Sequence, residues 1–362
     1  MEKIRAGIIG ATGMVGQRFI SLLQGHPWFD ITCPAASTRS AGLEYCKAVE
    51  GRWAFDWPIP EAVKHMEVMD AANVNEVAAL CDFVFCAVDM KKDDIRALEE
   101  AYAKTETPVI SNNSACRSIA DVPMIVPEIN AGHAQVIATQ RKRLGTEVGF
   151  IAVKPNCSIQ SYVPALTPLM EFGIEQISVC TYQAISGAGK TFLTWPEMVD
   201  NVIPYIGGED EKSEQEPLKL WGTVENGEIV NAKAPVISAQ CIRVAAQDGH
   251  LAAVSVKFKQ KPTLEEIKNR WATYDTMPQA LGLPSAPKPF LQYFEDPARP
   301  QTRLDRDFQN GYGVSIGRLR PDPLFDYKFV CLSHNTVRGA AGGGILTAEL
   351  LYRQGYIVKK NV

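Results

Sequence analysis

The sequence predicts an α/β protein, with a doubly wound parallel sheet in its first half and a mixed α+β arrangement in its second. Short apolar runs, typical of buried parallel strands, alternate with helical patterns up to about residue 155. A glycine-rich turn joins the first run to the first helix. Beyond residue 176, longer strands with alternating polarity follow one another with few helices between them. That pattern indicates a mixed or antiparallel sheet.

The composition argues against several classes of protein. The chain has 362 residues, 46% hydrophobic and 22% charged, which is enough for two domains with their own cores. A net charge of −4 argues against nucleic acid or an anionic membrane surface as a partner, and no apolar run approaches the roughly 18 residues that cross a bilayer. Nine scattered cysteines without zinc-ligand spacing predict free thiols, no metal and a reducing, cytoplasmic compartment. The first strand begins at Ile4 with no signal-peptide pattern before it.

The turn after this first strand predicts a nucleotide site. Glycines recur at three-residue spacing before a helical pattern that passes through Phe19 and Leu23. In a Rossmann-type unit such glycines allow a tight turn and close approach of the backbone, and the helix N-terminus binds the pyrophosphate. The alternative is that the glycines merely end the strand. The residues predicted to contact the cofactor are Gly10, Thr12, Gly13, Met14, Val15 and Gly16.

The end of the second strand, residues 31–36, indicates which nicotinamide cofactor is bound. A NAD-specific site places Asp or Glu about 20 residues beyond the glycines to bind the ribose 2′-hydroxyl, and no acidic residue stands there. Hydroxyl and guanidinium groups instead suit a 2′-phosphate. We therefore predict NADP, against the alternative of an ordinary polar loop. The predicted contacts are Ser37, Thr38, Arg39 and Ser40.

A polar loop at the carboxyl edge of the sheet is the next candidate site. Strands predicted at residues 82–88 and 108–111 flank a helix at about residues 93–104. The second strand runs into a loop that contains Asn113 and Arg117, and ligands of open α/β sheets bind at such strand ends. Both side chains are predicted anion ligands, with a solvated loop as the alternative.

The turn around Cys157 is the predicted catalytic centre. An apolar strand at residues 149–153 precedes it, and a helical pattern over residues 157–170 follows it. A thiol near a helix N-terminus faces the positive end of the helix dipole, which favours the nucleophilic thiolate. We therefore predict that Cys157 is a nucleophile, and the alternative is a buried structural cysteine.

The segment beyond this helix combines regular and irregular patterns. A strand over residues 177–184 precedes a predicted helix around Trp195, and a mobile-looking acidic stretch covers residues 209–216. If the chain is helical from there, Glu216 and Lys219 share a face. We expect an ordinary surface ion pair between them.

Residues 241–258 predict a hairpin that turns at residues 247–249. Arg243 and His250 then lie on either side of its tip. Histidine is the usual acid or base for a cysteine nucleophile, although a lone histidine is more often structural. An amphipathic helix over residues 345–356 follows the last strands.

These motifs together resemble the aspartate-β-semialdehyde dehydrogenase family over essentially the full chain, and most of all its archaeal and fungal branch. The most specific matches are the pair Asn156-Cys157 and the spacing from Arg243 to His250. The other matching segments are residues 10–16, 36–42, 126–130, 186–189 and 334–341, with Gln183. The chain departs from many bacterial members at Gly343, where they have an asparagine, so the group that holds the nicotinamide carboxamide is open.

The resemblance implies a fold and a reaction. Residues 1–155 with a C-terminal helix, residues 336–362, would bind NADP. Residues 156–335 would form a catalytic and dimerisation domain built like that of glyceraldehyde-3-phosphate dehydrogenase, in a homodimer or a dimer of dimers. The implied reaction is the reversible reductive dephosphorylation of aspartyl β-phosphate to aspartate β-semialdehyde through a thioacyl-enzyme. It serves the biosynthesis of lysine, threonine, methionine and isoleucine.

The resemblance also implies roles for individual residues. His250 would be the acid and base, with a pKa suited to neutral pH, while Asn156 and Gln183 would position the reacting groups. Arg243 would hold the substrate carboxylate through a two-point fork, and Glu216 would hold the ammonium. The residues implied for phosphate are Lys219, Asn113 and Arg117, and those implied to extend the cofactor site are Ser186, Gly187 and Asn335.

Three other functions compete with this one. Malonyl-CoA reductase shares the scaffold but needs no ammonium partner at Glu216, and Asn156 favours the semialdehyde enzyme. N-acetylglutamyl-phosphate reductase applies the same chemistry to a longer substrate. A non-catalytic NADP-binding regulator would have no need of Cys157, His250 and Arg243 together.

Overall fold

The computed structural model describes residues 2–360 and confirms a parallel sheet followed by a mixed sheet. The strands of the parallel sheet are β1 Ile4–Ile9, β2 Phe29–Ala36, β3 Met69–Asp70, β4 Phe83–Cys86, β5 Val109–Ser111 and β6 Ile151–Val153. They lie in the order β3-β2-β1-β4-β5-β6, and every neighbouring pair is parallel. Because the strand order reverses between β1 and β4, a crevice forms at their carboxyl ends.

Helices connect these strands. They are α1 Met14–Leu22, α2 Tyr45–Ala48, α3 Glu61–Lys64, α4 Val74–Ala79, α5 Lys92–Lys104, α6 Pro127–Asn130 and α7 Ile137–Leu144. Helix α5 shows why they form: Asp93 and Asp94 stand in its first turn and Lys104 in its last, which complements the helix dipole. Its apolar side, with Ile95 and Tyr102, is buried.

The second half contains a seven-stranded mixed sheet and a separate two-stranded ribbon. Their strands are β7 Ile174–Gln183, β8 Val202–Ile203, β9 Thr223–Glu225, β10 Glu228–Val230, β11 Val236–Val244, β12 His250–Phe258, β13 Leu291–Phe294, β14 Val314–Pro321 and β15 Tyr327–Ser333. The order in the large sheet is β13-β14-β15-β12-β7-β11-β8, while β9 pairs with β10.

The predicted hairpin at residues 241–258 is wrong in its pairing. Strand β7 lies between β11 and β12, parallel to the first and antiparallel to the second. The turn before β12 is nevertheless present, with Gly249 at a φ of +97°. Arg243 pairs with Gln183 and Leu251 with Tyr182. Arg243 and His250 therefore lie on either side of the end of β7, and their strands do not pair with each other.

The remaining helices are α8 Ile159–Leu166, α9 Glu209–Leu220, α10 Leu264–Ala272, α11 Met277–Ala280, α12 Thr302–Asp305 and α13 Gly342–Arg353. The predicted helix around Trp195 is wrong, since only short 3₁₀ turns occur, at Ile185–Ala188 and Pro196–Met198. Gly189, with a φ of +67°, and Pro196 interrupt the helical pattern. The acidic stretch expected to be mobile is helical and belongs to α9.

Helix α13 returns to the first half of the chain. A Cβ atom at Gly344 would lie 2.9 Å from the ring of Phe19, which stacks on Phe85 at 4.4 Å between ring centroids. A Cβ atom at Gly343 would lie 3.2 Å from Cδ of Lys154, the residue after β6, so the turn before α13, Val337–Ala341, lies beside the carboxyl end of that strand. Between residues 2 and 360, no helix has the length and apolar character needed to cross a membrane.

Candidate active site

Cys157 lies between β6 and α8, two residues before the first residue of that helix. It is half-buried, and its Sγ lies 3.4 Å from Nε2 of His250. The turn before α13 closes over it, because a Cβ atom at Gly339 would come within 2.9 Å of the Cys157 Cβ. The strand-to-helix turn predicted from the sequence is therefore present and has a histidine in contact.

The expectation that the turn favours thiolate is wrong for the resting site. Burial raises the pKa of the Cys157 thiol, and the carboxylate of Glu209 raises it further. Lys154, Arg117 and Arg243 lower the same pKa, but less than burial raises it. Loss of hydration is therefore the largest influence on this thiol, because water stabilises the thiolate much more than the thiol.

His250 is the first residue of β12 and is fully buried. The backbone N–H of Ala184 donates to its Nδ1 at 3.0 Å, so the neutral ring carries its proton on Nε2, facing Cys157 Sγ. Burial, assisted by the charge of Arg243, lowers the pKa of His250 to about 3. The expectation of a pKa near neutrality is wrong for the resting site, where the imidazole is neutral.

Arg243 reaches the same place from β11. Its Nη1 donates to the carbonyl of Ala184 at 2.7 Å, and no salt bridge within residues 2–360 includes it. Gly187 packs between the two catalytic side chains: a Cβ atom there would lie 2.9 Å from Arg243 Nη1 and 3.0 Å from the ring of His250. This guanidinium is therefore available for a carboxylate ligand, and Gly187 borders the catalytic side chains.

Glu209, at the start of α9, is a site residue that the sequence analysis missed. Its carboxylate accepts from Asn156 Nδ2 at 2.9 and 3.0 Å and from Gln183 Nε2 at 3.2 Å. Burial acts to raise the pKa of Glu209, but Lys212, 2.8 Å away, and the hydrogen bonds hold it below its ordinary value. The carboxylate is therefore ionised at neutral pH, beside the predicted positioning residues.

A signal for Glu209 exists in the sequence. The spacing of Glu209 and Lys212 repeats that of Glu216 and Lys219 seven residues earlier on the same helix. Two turns of helix bring both pairs to one face, so the spacing alone does not distinguish them.

The structure contradicts the expected surface pair of Glu216 and Lys219, since both are buried. Glu216 binds Arg117 at 2.9 Å and accepts from the backbone N–H of Asn156 at 2.5 Å. Lys219 Nζ donates to three backbone carbonyls at 2.7, 2.7 and 2.9 Å, so its three N–H groups are all used within the protein. Asn113 donates to the buried Glu99 at 3.0 Å.

Arg117 nevertheless borders a cavity of about 430 Å³ that also contains Lys92 and Lys212. Serine hydroxyls of the same loop, Ser114 and Ser118, line this cavity. The lining has four cationic side chains and two carboxylates in all, the others being Lys219, Glu211 and Glu216. The excess of positive charge and the hydroxyls suit an anionic group.

The glycine turn has the geometry that a dinucleotide needs. Gly10 has a φ of +87°, and a Cβ atom at Gly16 would come within 2.2 Å of the Gly10 carbonyl oxygen. Helix α1 has no acidic residue in its first turn and no side-chain cap, so its N–H groups are open to a pyrophosphate. At the end of β2, Ser37, Thr38 and Arg39 are exposed and Ser40 is buried.

Two further predicted cofactor residues lie across the crevice from the glycine turn. Asn335 Nδ2 donates to Ser186 Oγ at 2.8 Å. Ser186 lines a cavity of about 450 Å³ together with Met14 and Arg18 of α1. The structure thus places Ser186 in one cavity with the start of the helix that follows the glycine turn, and Asn335 in contact with Ser186.

Comparisons with known proteins give one consistent result. Residues 5–137 match the family model "Semialdehyde dehydrogenase, NAD binding domain", and residues 166–338 match "Semialdehyde dehydrogenase, dimerisation domain". The chain is 44% identical to an aspartate-semialdehyde dehydrogenase of Schizosaccharomyces pombe, over 97% of this chain and 98% of that one. Identity to the Archaeoglobus fulgidus enzyme is 41%, over 96% and 98%.

A crystal structure of aspartate semialdehyde dehydrogenase with NADP from Candida albicans has the same fold. Its TM-score is 0.88 at 39% identity, over 98% of this chain and all of that one.

Proposed function

The chain belongs to the semialdehyde dehydrogenase family, and on that premise we propose that it is an NADP-dependent aspartate-semialdehyde dehydrogenase. The observation that carries this proposal is the meeting of Cys157, His250 and Arg243 beside the ionised Glu209. A thiol, an imidazole, a carboxylate receptor and an ammonium receptor together describe a short α-amino acid with a reactive acyl group at its far end. The family resemblance predicted from the motifs is thereby confirmed.

In the reductive direction, Cys157 Sγ attacks the acyl carbon of aspartyl β-phosphate. The bond to phosphate breaks, phosphate leaves with the electron pair, and a thioacyl-enzyme remains. NADPH, held at the glycine turn, would supply a hydride to this acyl carbon. The Nε2–H of His250, which faces Sγ, is placed to donate to the oxygen that gains charge. Collapse of the thiohemiacetal releases the aldehyde and restores the Cys157 thiolate, the form that attacks in the first step.

We assign the substrate ammonium to Glu209 in place of Glu216. The carboxylate of Glu209 contacts the side chains of Asn156 and Gln183 and acts on the pKa of Cys157. Its cationic partner Lys212 is 31% exposed and free to move away, whereas Glu216 is paired with Arg117, which is 11% exposed. For the phosphate we retain Arg117 and add Lys212, because both line the same cavity. Lys219 loses its support as a phosphate ligand, since backbone carbonyls take all its N–H groups.

The residues present fit NADP. The glycine turn excludes side chains by contact, and the exposed hydroxyls and guanidinium of Ser37, Thr38 and Arg39 suit a 2′-phosphate. We propose that Gly10, Gly13 and Gly16 receive the pyrophosphate and that Ser186 and Asn335 border the nicotinamide half. Gly343 has no side chain to offer the carboxamide, and a Cβ atom there would lie 3.2 Å from Lys154 Cδ.

The comparisons and the free cysteines also support an oligomeric state and a cellular location. The match to a dimerisation domain supports a homodimer, and a dimer of dimers is the finer alternative. The division at residues 155 and 336 stays a prediction, which the packing of α13 on Phe19 supports. All nine cysteines are free thiols, which supports our proposal of a reducing, cytoplasmic compartment.

The test is an assay with aspartate semialdehyde, phosphate and NADP⁺, followed by appearance of NADPH, with NAD⁺ and malonyl-CoA reduction measured in parallel. We expect turnover with aspartate semialdehyde only when phosphate is present. The control Cys157→Ala should lose turnover and keep NADP⁺ binding, because the glycine turn is intact. Efficient reduction of malonyl-CoA without oxidation of aspartate semialdehyde would overturn the proposal.

A further inference from the structure

Lys154 is a buried lysine beside the catalytic cysteine to which no role has yet been assigned. It follows β6 directly, stands three residues before Cys157 and is 2% exposed. Its stem packs on the first turn of α13 at Gly343. Its Nζ donates to the carbonyl of Pro155 at 2.6 Å, on the peptide that leads into the catalytic turn.

This lysine has no counter-charge in contact. Within residues 2–360 no salt bridge includes Lys154, and the Pro155 carbonyl is its single hydrogen-bond partner. Burial of an unpaired ammonium is costly. A lysine kept in such a place, with two further N–H groups uncommitted, indicates a partner that carries charge only part of the time.

The other cations near Cys157 have partners of their own. Arg117 is bound to Glu216 at 2.9 Å. Arg243 donates to the carbonyl of Ala184 and is assigned to the substrate carboxylate. Lys154 is therefore the cation that is left to balance a negative charge on Sγ.

Charged groups on several elements around Lys154 change the pKa of its amine. Burial lowers the pKa of Lys154 to about 7, and Arg117 and Arg338 contribute to the fall. The groups that act to raise it are Cys157 and Glu216. Arg338 is itself neutralised by Glu128. Near neutral pH, the amine is thus able to take up or release a proton.

His250 does not accept the thiol proton in its resting tautomer. Its Nδ1 accepts from Ala184, so Nε2 carries the ring proton and has no lone pair for the thiol proton. When Sγ loses its proton to the solvent, the ammonium of Lys154 balances the negative charge that remains on sulfur. An isolated buried thiolate is then avoided.

We propose that Lys154 is a positioning residue that controls the ionisation of Cys157, its buried ammonium stabilising the thiolate that forms when the thiol loses its proton. The inference rests on the proposed function only in taking Cys157 as the nucleophile. His250 then acts as a hydrogen-bond donor to the thiolate, which agrees with its tautomer.

The test is the pH dependence of Cys157 alkylation by iodoacetamide in the resting protein. Mass spectrometry of the Cys157 peptide separates this thiol from the other eight. The variants are Lys154→Met, which keeps the stem, and Lys154→Gln, which also keeps a donor for the Pro155 carbonyl. Lys360→Met is the matched control, since Lys360 is a partly buried lysine that contacts Ala78 and Thr107 instead.

We expect both Lys154 variants to be alkylated about tenfold more slowly at pH 7, with a midpoint about one pH unit higher than in the wild type. In Lys360→Met, the alkylation of Cys157 should have the same midpoint pH as in the wild type. Circular dichroism and NADP⁺ binding establish that each variant is folded. If Lys154→Met does not fold, Lys154→Gln is the variant that tests the proposal. Titration of a folded Lys154 variant at the wild-type midpoint overturns the proposal. Alkylation needs no substrate, so this result is independent of the assay of the proposed function.

Discussion

Arg117 and Arg243 show how partners determine the role of a side chain at the scale of single residues. Glu216 pairs with Arg117 at 2.9 Å, so part of the charge of this guanidinium is balanced within the protein. Arg243 donates to a neutral carbonyl and keeps its full charge for a ligand. The same reasoning distinguishes Glu209, whose cationic partner Lys212 is one-third exposed, from Glu216, whose partner Arg117 is 11% exposed.

Glu209→Gln should therefore impair recognition of the substrate ammonium. A charge-assisted hydrogen bond contributes about 1.5–3 kcal/mol, so kcat/KM for aspartate semialdehyde should fall about tenfold to a hundredfold. Succinate semialdehyde, which lacks the ammonium, should lose much less. Glu216→Gln is the matched comparison, and we expect it to affect both aldehydes equally through Arg117. Equal losses for the two aldehydes in Glu209→Gln would show that Glu209 is structural.

Arg39→Glu should weaken NADP⁺ binding selectively. Arg39 is exposed at the end of β2, where its guanidinium would face the 2′-phosphate. Loss of a charge-assisted contact should raise the KM for NADP⁺ about tenfold or more, with far less effect on NAD⁺. Arg96→Glu is the control for a change of surface charge, since Arg96 lies on α5 against Glu100. If both cofactors are affected alike, Arg39 supports the loop and does not read the phosphate.

At the scale of secondary structure, the ends of three adjacent strands and two turns build the site. Arg243 is the residue before the last of β11, Gln183 is the last residue of β7, and His250 is the first residue of β12. The turn after β6 brings Cys157 to them from the other sheet. The turn before α13 closes over the cysteine with a glycine, because a side chain there would collide with it. Catalytic geometry therefore depends on a contact between residues 157 and 339.

Gly339→Ala should displace Cys157 and reduce turnover at least about tenfold, since an ångström of misplacement near the reacting atoms has effects of this order. The added Cβ would lie 2.9 Å from the Cys157 Cβ. NADP⁺ affinity should change little. Gly132→Ala is the control, because no atom lies within 4 Å of its added Cβ. Wild-type turnover in Gly339→Ala would mean that the turn at Gly339 can move away from Cys157 without disturbing the catalytic geometry.

At the scale of the whole molecule, buried neutral histidines connect stability to pH. Burial lowers the pKa of His250 to about 3 and that of His334 to about 4, and it also lowers the pKa of His133. In the unfolded chain these groups return to about 6.5. Between the folded and unfolded values the unfolded chain binds more protons, so stability falls as the pH falls.

The free energy of unfolding should therefore decrease from about pH 7 to about pH 4, by up to about 1.4 kcal/mol per pH unit for each histidine once the pH is below 6. Urea unfolding at several pH values measures this slope. His133 lies outside the catalytic site, bound to Asn130 and the carbonyl of Gly222, and His133→Asn should reduce the slope. Stability that is constant or rises on acidification would contradict the burial of these histidines as neutral groups.

Local patterns predicted much of this protein. The glycine turn, the strand-to-helix turn at Cys157, the parallel sheet and the residues Arg243 and His250 all follow from neighbours in the sequence. Each depends on periodicity or turn chemistry within about 20 residues. The family was evident from the same motifs. Local reasoning failed where the chain pairs with distant segments, as in the hairpin that β7 separates.

Only the tertiary structure decided which acidic residue and which ionisation state the site has. Glu209 and Glu216 occupy equivalent positions one heptad apart, and the contact with Asn156 and Gln183 selects between them. The helix dipole at Cys157 favours a thiolate, yet burial raises its pKa. Desolvation depends on every segment that packs around a group, and those segments are distant in sequence, so the spacing of residues along the chain does not encode it.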